Sequence, residues 1–313
     1  MGDPDLRKLR VLRELDERGT VAAVAAALHL APSAVSQQLT ALGRELGVRL
    51  TEPVGRRLRL TSAARIVLRH AEALFREVEL LEAELAAHQG GELGEVAVAG
   101  FATTLSALIL PAVARLRETR PGLRTTLAEV DPPESFAMLL RGETDVVISA
   151  EASPPHASAE DQRLHRVPLC ADRFDVALPV GHRLAGAPLL RLADLAEEKW
   201  IFAATGMCHD IGVIACTAAG FTPRSAHAIG DWAATLSAVG LGLGVSLVPR
   251  LTRPAAQPGV VLRALAGEAP RRYLFAAVRA GSQGAPDVAV VLEALRSVAA
   301  AVAAESRLLG DAA

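Results

Sequence analysis

The sequence contains few cysteines, few aromatic residues and no long apolar run. Only three of its 313 residues are cysteine, and it holds seven Phe, two Trp and one Tyr. Three cysteines cannot form a complete disulfide framework, which favours a reducing compartment. No apolar run reaches the ~18 residues of a membrane-spanning helix, and no apolar stretch of a secretory signal follows the first charges. We therefore expect a cytoplasmic protein without a membrane partner.

Residue patterns of catalytic and cofactor sites are also missing. The eight histidines lack the spacing of metal ligands, and no nucleophile lies beside a base in a recognisable arrangement. Gly240, Gly242 and Gly244 form a GLGLG stretch that leads into an apolar strand, whereas a dinucleotide-binding loop follows a strand and places its third glycine differently. We expect no enzyme activity, no bound metal and no cofactor.

Charge is distributed unevenly along the chain. The formal net charge is −2, yet residues 1–60 carry ten Arg or Lys against seven Asp or Glu. This first segment is therefore +3, and the remainder of the chain is −5. A modestly basic head on an acidic body is typical of a protein that contacts phosphate with one end only.

Residues 19–46 predict a helix-turn-helix. Thr20 can cap a short Ala-rich helix over 21–28, and Pro32 suits the first position of a second helix that ends near residue 46. The second helix has a predicted buried stripe of Val35, Leu39, Leu42 and Leu46. Short side chains with donors and acceptors fall on its other face, and we expect them to contact a DNA major groove: Ser33, Ser36, Gln37 and Thr40.

A β-hairpin wing is predicted directly after these helices. Residues 48–51 and 58–60 alternate like two short strands, with residues 53–57 as the turn. Arginines on a projecting hairpin suit contact with phosphate or the minor groove. The candidate DNA contacts of the wing are Arg49, Arg56, Arg57 and Arg59.

A long helix is predicted from Thr61 to about Ala87. Its apolar residues recur at alternating spacings of four and three, which is a heptad seam. We expect the seam to pair with a second copy of the chain, and packing against the protein's own core is the alternative. The predicted dimerisation residues are Val67, Ala71, Leu74, Val78, Leu81 and Leu85.

After the linker at residues 89–91, strands alternate with helices. This order predicts largely parallel sheets with helices on their faces, in an α/β body with room for two lobes and a cleft. Predicted strands include 164–170 and 174–179, and the last predicted helix is 286–303. The predicted domains are a winged helix-turn-helix over 1–60, a linker helix and hinge over 61–91, and an effector-binding domain over 92–313.

Taken together, these parts resemble the LysR-type transcriptional regulators, in a branch from high-GC bacteria. The resemblance rests at the head on LHLAPSAVSQQLTALGRELGVRL and GRRLRLTSAA, and in the body on PAVARLRETRPGLRTTLAE, LLRGETDVVIS and VGLGLGVSLVPRL. It implies a homotetramer that binds promoter DNA, with or without a small-molecule effector. It also implies a body like a periplasmic binding protein, with lobe I about 92–165 and 268–313 and lobe II about 166–267.

The head departs from the family's pattern at two places. Ala31, Pro32 and Ser33 stand where many members have Ser-Gln-Pro, so a glutamine that commonly contacts DNA is missing. Leu50-Thr51-Glu52-Pro53 replaces the usual LF-x-R of the wing, and Glu52 is unfavourable near phosphate. Specificity would then rest more on Ser33, Ser36, Gln37 and the wing.

The effector is expected where strand ends meet helix starts. Thr103 and Thr104 begin a helix after the first strand of the body, where N–H groups and the helix dipole attract an anion, although Thr103 can equally serve as an N-cap. The other predicted lining residues are Phe202, Thr205 and Trp232. Because no Arg or Lys is evident among them, we expect a neutral or modestly polar effector.

Three alternatives remain open at this level. Cys208 and Cys216 lie in the region where peroxide-sensing regulators of this type carry a reactive cysteine pair, so redox sensing is one alternative. A second is a cytoplasmic α/β small-molecule-binding protein or enzyme with a helical appendage. A third is a regulator that needs no ligand because side chains close its cleft.

Overall fold

The computed structural model describes residues 5–54, 57–88, 94–153, 161–252 and 257–311. The chain divides into two compact units. The first unit is Met1–Leu85 with Ala280–Ser282, and the second is Ala86–Arg279 with Gln283–Ala313. Within the described ranges, no helix combines the length and the apolar character needed to cross a membrane.

The first unit contains the predicted helix-turn-helix. Its helices are α1 (Leu6–Arg18), α2 (Val21–Ala27), α3 (Pro32–Leu46) and α4 (Ser62–His88). The Thr20 hydroxyl accepts a hydrogen bond from the Ala23 N–H at 3.2 Å, which caps α2 as expected. Pro32 is the first residue of α3, where its missing N–H is not needed. Val35 and Leu42 of α3 are fully buried, so the predicted stripe packs in the core of the head.

The wing is a two-stranded hairpin, but its first strand begins later than predicted. Strand β1 (Thr51–Val54) pairs antiparallel with β2 (Arg57–Leu60). The prediction of a strand over 48–51 was wrong because the chain first closes the end of α3. Gly47 adopts φ 70°, and the Val48 N–H donates to the Gly43 carbonyl at 2.9 Å. That hydrogen bond holds Val48 against the helix end.

The first half of α4 completes the core of the head. Thr61 caps α4, since its hydroxyl oxygen accepts from the Ala64 N–H at 3.1 Å. Ala64, Leu68 and Phe75 pack against the helix-turn-helix. Two predicted dimerisation residues do the same: Ala71 is 1 % exposed, and Val67 lies against this core. The prediction that Val67 and Ala71 pair with a second copy was therefore wrong, because both pack inside the head. The first compact unit also extends well past residue 60.

The second unit contains nine strands and six helices among its described residues, besides short 3-10 turns and a π-helical segment (Leu105–Ile109). The strands are β3 (Glu95–Gly100), β4 (Arg124–Glu129), β5 (Val146–Glu151), β6 (Leu164–Pro179), β7 (Lys199–Phe202), β8 (Arg224–Ala228), β9 (Ser246–Pro249), β10 (Val260–Arg263) and β11 (Arg271–Arg279). The helices are α5 (Ala102–Thr104), α6 (Leu110–Thr119), α7 (Glu134–Arg141), α8 (Met207–Ala218), α9 (Trp232–Gly240) and α10 (Pro286–Asp311).

Sheet topology defines two lobes within this unit. The main sheet has the order β10-β6-β11-β5-β3-β4, with β9 also on β6, and β7 pairs with β8. Strands β3, β4 and β5 are parallel, as predicted, whereas β6, β9, β10 and β11 pair antiparallel. Helices α6 and α10 cover one face of the lobe I sheet, and α7 covers the other. Lobe II is built around the fully buried Trp200.

Strand β6 runs through both lobes. The prediction of separate strands over 164–170 and 174–179 was wrong, because the backbone stays extended and paired throughout. The first part of β6 pairs with β11 as far as Arg173, opposite Arg271, and from Phe174 it pairs with β9. The chain therefore passes between lobes at about residues 173 and 270, rather than near 165 and 268. Strand β8 was not predicted because all five of its residues are exposed and its sequence shows no apolar alternation.

Candidate DNA-binding face and inter-lobe cluster

One face of α3 is exposed and polar. It carries the four residues predicted to contact DNA, Ser33, Ser36, Gln37 and Thr40. The Ser36 hydroxyl donates to the Pro32 carbonyl at 3.1 Å and the Thr40 hydroxyl to the Ser36 carbonyl at 2.8 Å, so both oxygens can still accept. The Gln37 amide makes no hydrogen bond with the described residues and presents a donor and an acceptor, the pair that recognises adenine.

The arginines beside this face differ in how available their charge is to DNA. Arg49 is exposed and, with Thr40 and Arg44, lines a surface groove of about 580 Å³ between the end of α3 and the wing. Arg59 lies 2.6 Å from Glu52, so that its charge is compensated within the hairpin. Of the other predicted arginines, Arg56 and the side chain of Arg57 lie outside the described residues. Arg44 was missed by sequence reasoning, although its place four residues after Thr40 puts it on the same helix face.

A buried arginine joins the two lobes of the second unit. Arg272 of β11 is 3 % exposed. Its Nε and Nη2 atoms each lie 2.9 Å from Oδ2 of Asp172, and Nη2 donates to the Thr103 hydroxyl at 2.8 Å. Its Nη1 donates to the Cys208 sulfur at 3.4 Å. We call Thr103, Asp172, Cys208 and Arg272 the inter-lobe cluster, because Thr103 belongs to lobe I and Cys208 to lobe II.

The antiparallel pairing of β6 with β11 positions the charged pair of this cluster. Asp172 and Arg272 are direct partners in the register, at the point where the chain passes between lobes. The second carboxylate oxygen of Asp172 accepts from the Leu251 N–H at 3.0 Å. Burial raises the pKa of Asp172, and the Arg272 guanidinium opposes that rise. A buried carboxylate of this kind depends on its cation, because an unpaired buried charge is costly.

The predicted effector residues lie in different surroundings: one contacts the other lobe through Arg272, two more are buried, and the others are at least partly exposed. Thr103 lies in the inter-lobe cluster. Thr104 does not line a site: it is 0 % exposed and its hydroxyl donates to the Phe101 carbonyl at 2.8 Å. Phe202 is likewise corrected, since it is 3 % exposed and stacks on Trp200 in the core of lobe II, with ring centroids 5.6 Å apart. Thr205 is exposed.

Trp232 begins α9 and packs, half-buried, against the second apolar cluster of lobe II. No Arg or Lys is among the predicted lining residues, yet Arg272 reaches Thr103 from a strand 169 residues further along the chain. The sequence offered one signal: Arg272 lies close to residue 268, where the chain was expected to return to lobe I. The guanidinium carbon of Arg272 lies 5.0 Å from the ring centroid of Phe101 and 6.0 Å from that of Phe174.

The two cysteines of α8 are shielded from solvent to different degrees, Cys216 buried and Cys208 half-buried. Cys208 and Cys216 are both on α8, eight residues apart, which is about 12 Å along a helix axis. A disulfide needs Cα atoms within about 7 Å. Cys216 is 0 % exposed, and burial raises the pKa of its thiol to about 12. Burial also raises the pKa of Cys208. The described residues contain no group of three or more side chains suited to a metal ion.

These features define a class: a winged helix-turn-helix joined to a two-lobed α/β body. Two family models match the chain, one described as bacterial regulatory helix-turn-helix protein, lysR family, at residues 6–65, and one as LysR substrate binding domain, at residues 89–300. The chain belongs to the LysR family and is a DNA-binding transcriptional regulator. Members of this family are regulators and not enzymes.

Curated relatives and solved structures agree with this assignment. A probable hydrogen peroxide-inducible genes activator of Mycobacterium avium is 30 % identical over 286 residues, which cover 89 % of each chain. The DNA-binding transcriptional dual regulator OxyR of Escherichia coli is 28 % identical over 297 residues, 94 % of this chain and 95 % of OxyR. A full-length OxyR variant from Pseudomonas aeruginosa shares the fold, with a TM-score of 0.66 at 20 % identity over 95 % of this chain and 97 % of that one.

Proposed function

We propose that the protein acts in the cytoplasm, binds promoter DNA through the exposed face of α3 and the wing, and senses a small molecule at the inter-lobe cluster. The observation that carries the sensing proposal is the position of Arg272. One guanidinium group holds Thr103 of lobe I and Cys208 of lobe II at the point where both strands cross. A ligand that replaces either partner changes how the lobes are held together.

The proposal includes assembly with further copies of the chain. Leu74, Leu81 and Leu85 are 43 %, 55 % and 49 % exposed on α4, and Val78 lies between them at heptad spacing. A second copy of α4 would cover this apolar stripe and place two α3 helices on two half-sites of a promoter. We propose a dimer formed in this way and a tetramer of two such dimers.

The charge of the cluster limits the kind of effector. Asp172 already compensates Arg272, so the cluster as a whole is neutral. A neutral or modestly polar molecule with a hydrogen-bond acceptor can take a guanidinium N–H without leaving a charge unpaired in the buried site. Such an effector alters DNA binding only if its affinity differs between two arrangements of the lobes.

Thr103→Val tests the sensing proposal. An effector is first identified as a compound that changes the affinity of the wild-type protein for its promoter DNA. The variant should then need about tenfold more effector for the same change, since the hydroxyl that the effector releases from Arg272 can no longer hydrogen-bond the effector. Its affinity for DNA without effector should equal that of the wild type. Thr104→Val is the matched control, because Thr104 is adjacent, equally buried and bonded only to the Phe101 carbonyl in the described structure. Equal effector response in Thr103→Val and wild type would remove Thr103 from the site.

Peroxide sensing is a second candidate, favoured by Cys208 in the cluster and by the names of the relatives. The thiolate of Cys208 would attack the O–O bond of hydrogen peroxide, giving a sulfenic acid and water, and the Cys216 thiol would then displace a second water to form a disulfide. The raised thiol pKa values disfavour the first step at neutral pH, and the 12 Å spacing along α8 disfavours the second.

Mass spectrometry after mild peroxide treatment separates these two candidates. We expect no peptide that links Cys208 to Cys216, and slow alkylation of both thiols at pH 7, because their pKa values lie above the ordinary value. Cys170, whose thiol pKa burial raises to about 12, serves as the internal reference for a slow thiol. A rapid Cys208–Cys216 linkage that changes DNA affinity would establish peroxide sensing instead of small-molecule sensing.

A further inference from the structure

Two arginines face each other across the pairing of β6 with β11. Arg173 and Arg271 are direct partners in the antiparallel register, immediately beside the Asp172–Arg272 pair. Successive residues of a strand point to opposite faces, so Arg173 and Arg271 lie on the face turned away from the inter-lobe cluster. Like charges placed directly opposite each other in a sheet destabilise it. The pair therefore needs a compensating negative charge.

No carboxylate of the described residues forms an ion pair with either arginine. Neither Arg173 nor Arg271 makes a side-chain hydrogen bond with these residues, and the Nε atom of Arg173 is buried without a partner. The carboxylates nearest in the strand already have cations of their own. Asp172 binds Arg272, and Asp175 binds Arg250 through two contacts of 2.9 Å.

A cavity opens on the same face; Arg271 lines it and Arg173 does not. Its volume is about 650 Å³, which is within the range of small-molecule sites. Arg271 and Tyr273 of β11 line it together with three apolar residues of α8, Ile211, Ile214 and Ala215. Ile214 is 64 % exposed, so the described residues leave its side chain largely uncovered. Glu268 also lines the cavity, and it makes no ion pair with the described residues.

We infer that this cavity binds a small organic anion, a monocarboxylate with an apolar body. The carboxylate accepts hydrogen bonds from Arg271 and compensates the charge that Arg271 shares with Arg173. The apolar body lies against α8, where it covers Ile214. This site is distinct from the inter-lobe cluster, because Arg271 and Arg272 point to opposite faces of β11.

The sole tyrosine of the chain, Tyr273, gives a direct reporter of this site. Full-length protein labelled with 3-fluorotyrosine has one ¹⁹F resonance, which is titrated with hexanoate, hexanamide and inorganic phosphate. We expect a saturable shift with hexanoate and none with hexanamide or phosphate, because the site needs both the carboxylate and the apolar chain. Arg271→Gln should weaken hexanoate binding by about tenfold or more. Arg173→Gln should weaken it less, because Arg173 does not line the cavity.

Arg191→Gln is the matched control, since Arg191 lines the same cavity but is already paired with Asp194 at 2.8 Å. Its hexanoate affinity should equal that of the wild type. Folding is checked by thermal unfolding: without ligand, Arg271→Gln should be at least as stable as the wild type, because it removes a like-charge contact. Hexanoate should raise the melting temperature of the wild type and not that of Arg271→Gln.

Four results would overturn the inference. They are the absence of a shift with hexanoate, an equal shift with hexanamide, a shift with phosphate alone, and unchanged hexanoate affinity in Arg271→Gln. None of them bears on sensing at Thr103, which the effector response of Thr103→Val tests separately.

Discussion

Replacing Arg272 with methionine is expected to lower the free energy of unfolding by about 3–5 kcal/mol, the cost of breaking a buried ion pair. The side chain of Asp172 is 1 % exposed, and in the variant only the Leu251 N–H remains to stabilise its charge. Thr103 and Cys208 lose their guanidinium partner as well. Urea denaturation of the full-length protein, with the midpoint and slope compared to the wild type, measures the loss.

Two further variants make this prediction specific. Arg271→Met changes the neighbouring arginine, which is half-buried and has no ion pair with the described residues, and should cost little or even stabilise. The double variant Asp172→Leu with Arg272→Met should recover much of the stability lost in Arg272→Met, because no charge is left buried alone. If Arg272→Met costs no more than Arg271→Met, Arg272 does not hold the lobes together.

Ser36→Glu on the exposed face of α3 is expected to abolish specific DNA binding. The new carboxylate would point at the phosphates and base edges of the major groove, whose charge it repels. Specific sites are bound about 10³–10⁷ times more tightly than random DNA, so the loss should exceed about 100-fold. Fluorescence anisotropy with a labelled promoter fragment measures it.

Thr119→Glu is the matched control for that substitution. Thr119 is also exposed at a helix surface, and its hydroxyl donates to the carbonyl four residues earlier, as that of Ser36 does. It lies in lobe I, so the same change of charge should leave DNA affinity nearly unaltered. A loss of similar size in both variants would point to net charge rather than to α3. Full retention of binding in Ser36→Glu would exclude the α3 face as the DNA contact.

Local signals made the head predictable from sequence. Thr20, Pro32 and the stripe of Val35, Leu39 and Leu42 each act within one or two helical turns, and the structure confirms their roles. The first strand of the wing was predicted too early in the chain. Gly47 and Val48 close the end of α3 and are therefore not part of the strand, which the alternation of apolar residues does not reveal.

The inter-lobe cluster could not be predicted from the sequence. Asp172 and Arg272 are 100 residues apart, and only the register of two antiparallel strands brings them together. Sequence could place Thr103 at a helix start but could not show that Arg272 reaches it. Phe202 is the last residue of β7, and its side chain turns into the core of lobe II, where a Cβ on Gly212 would lie 2.8 Å from its ring. Which face a short strand buries is set by tertiary packing.

A salt-dependent DNA titration tests most directly whether the α3 face and the wing recognise promoter DNA. The full-length protein is titrated against DNA from upstream of its own gene and against random DNA of equal length, at several salt concentrations. We expect saturable binding at nanomolar concentrations, with log affinity falling linearly with log salt by a slope of about −0.9 per phosphate contacted. We also expect a smaller slope when Arg49, exposed beside α3, is replaced with alanine. Binding no tighter than to random DNA, with an unchanged slope in Arg49→Ala, would contradict recognition of this DNA by the α3 face and the wing.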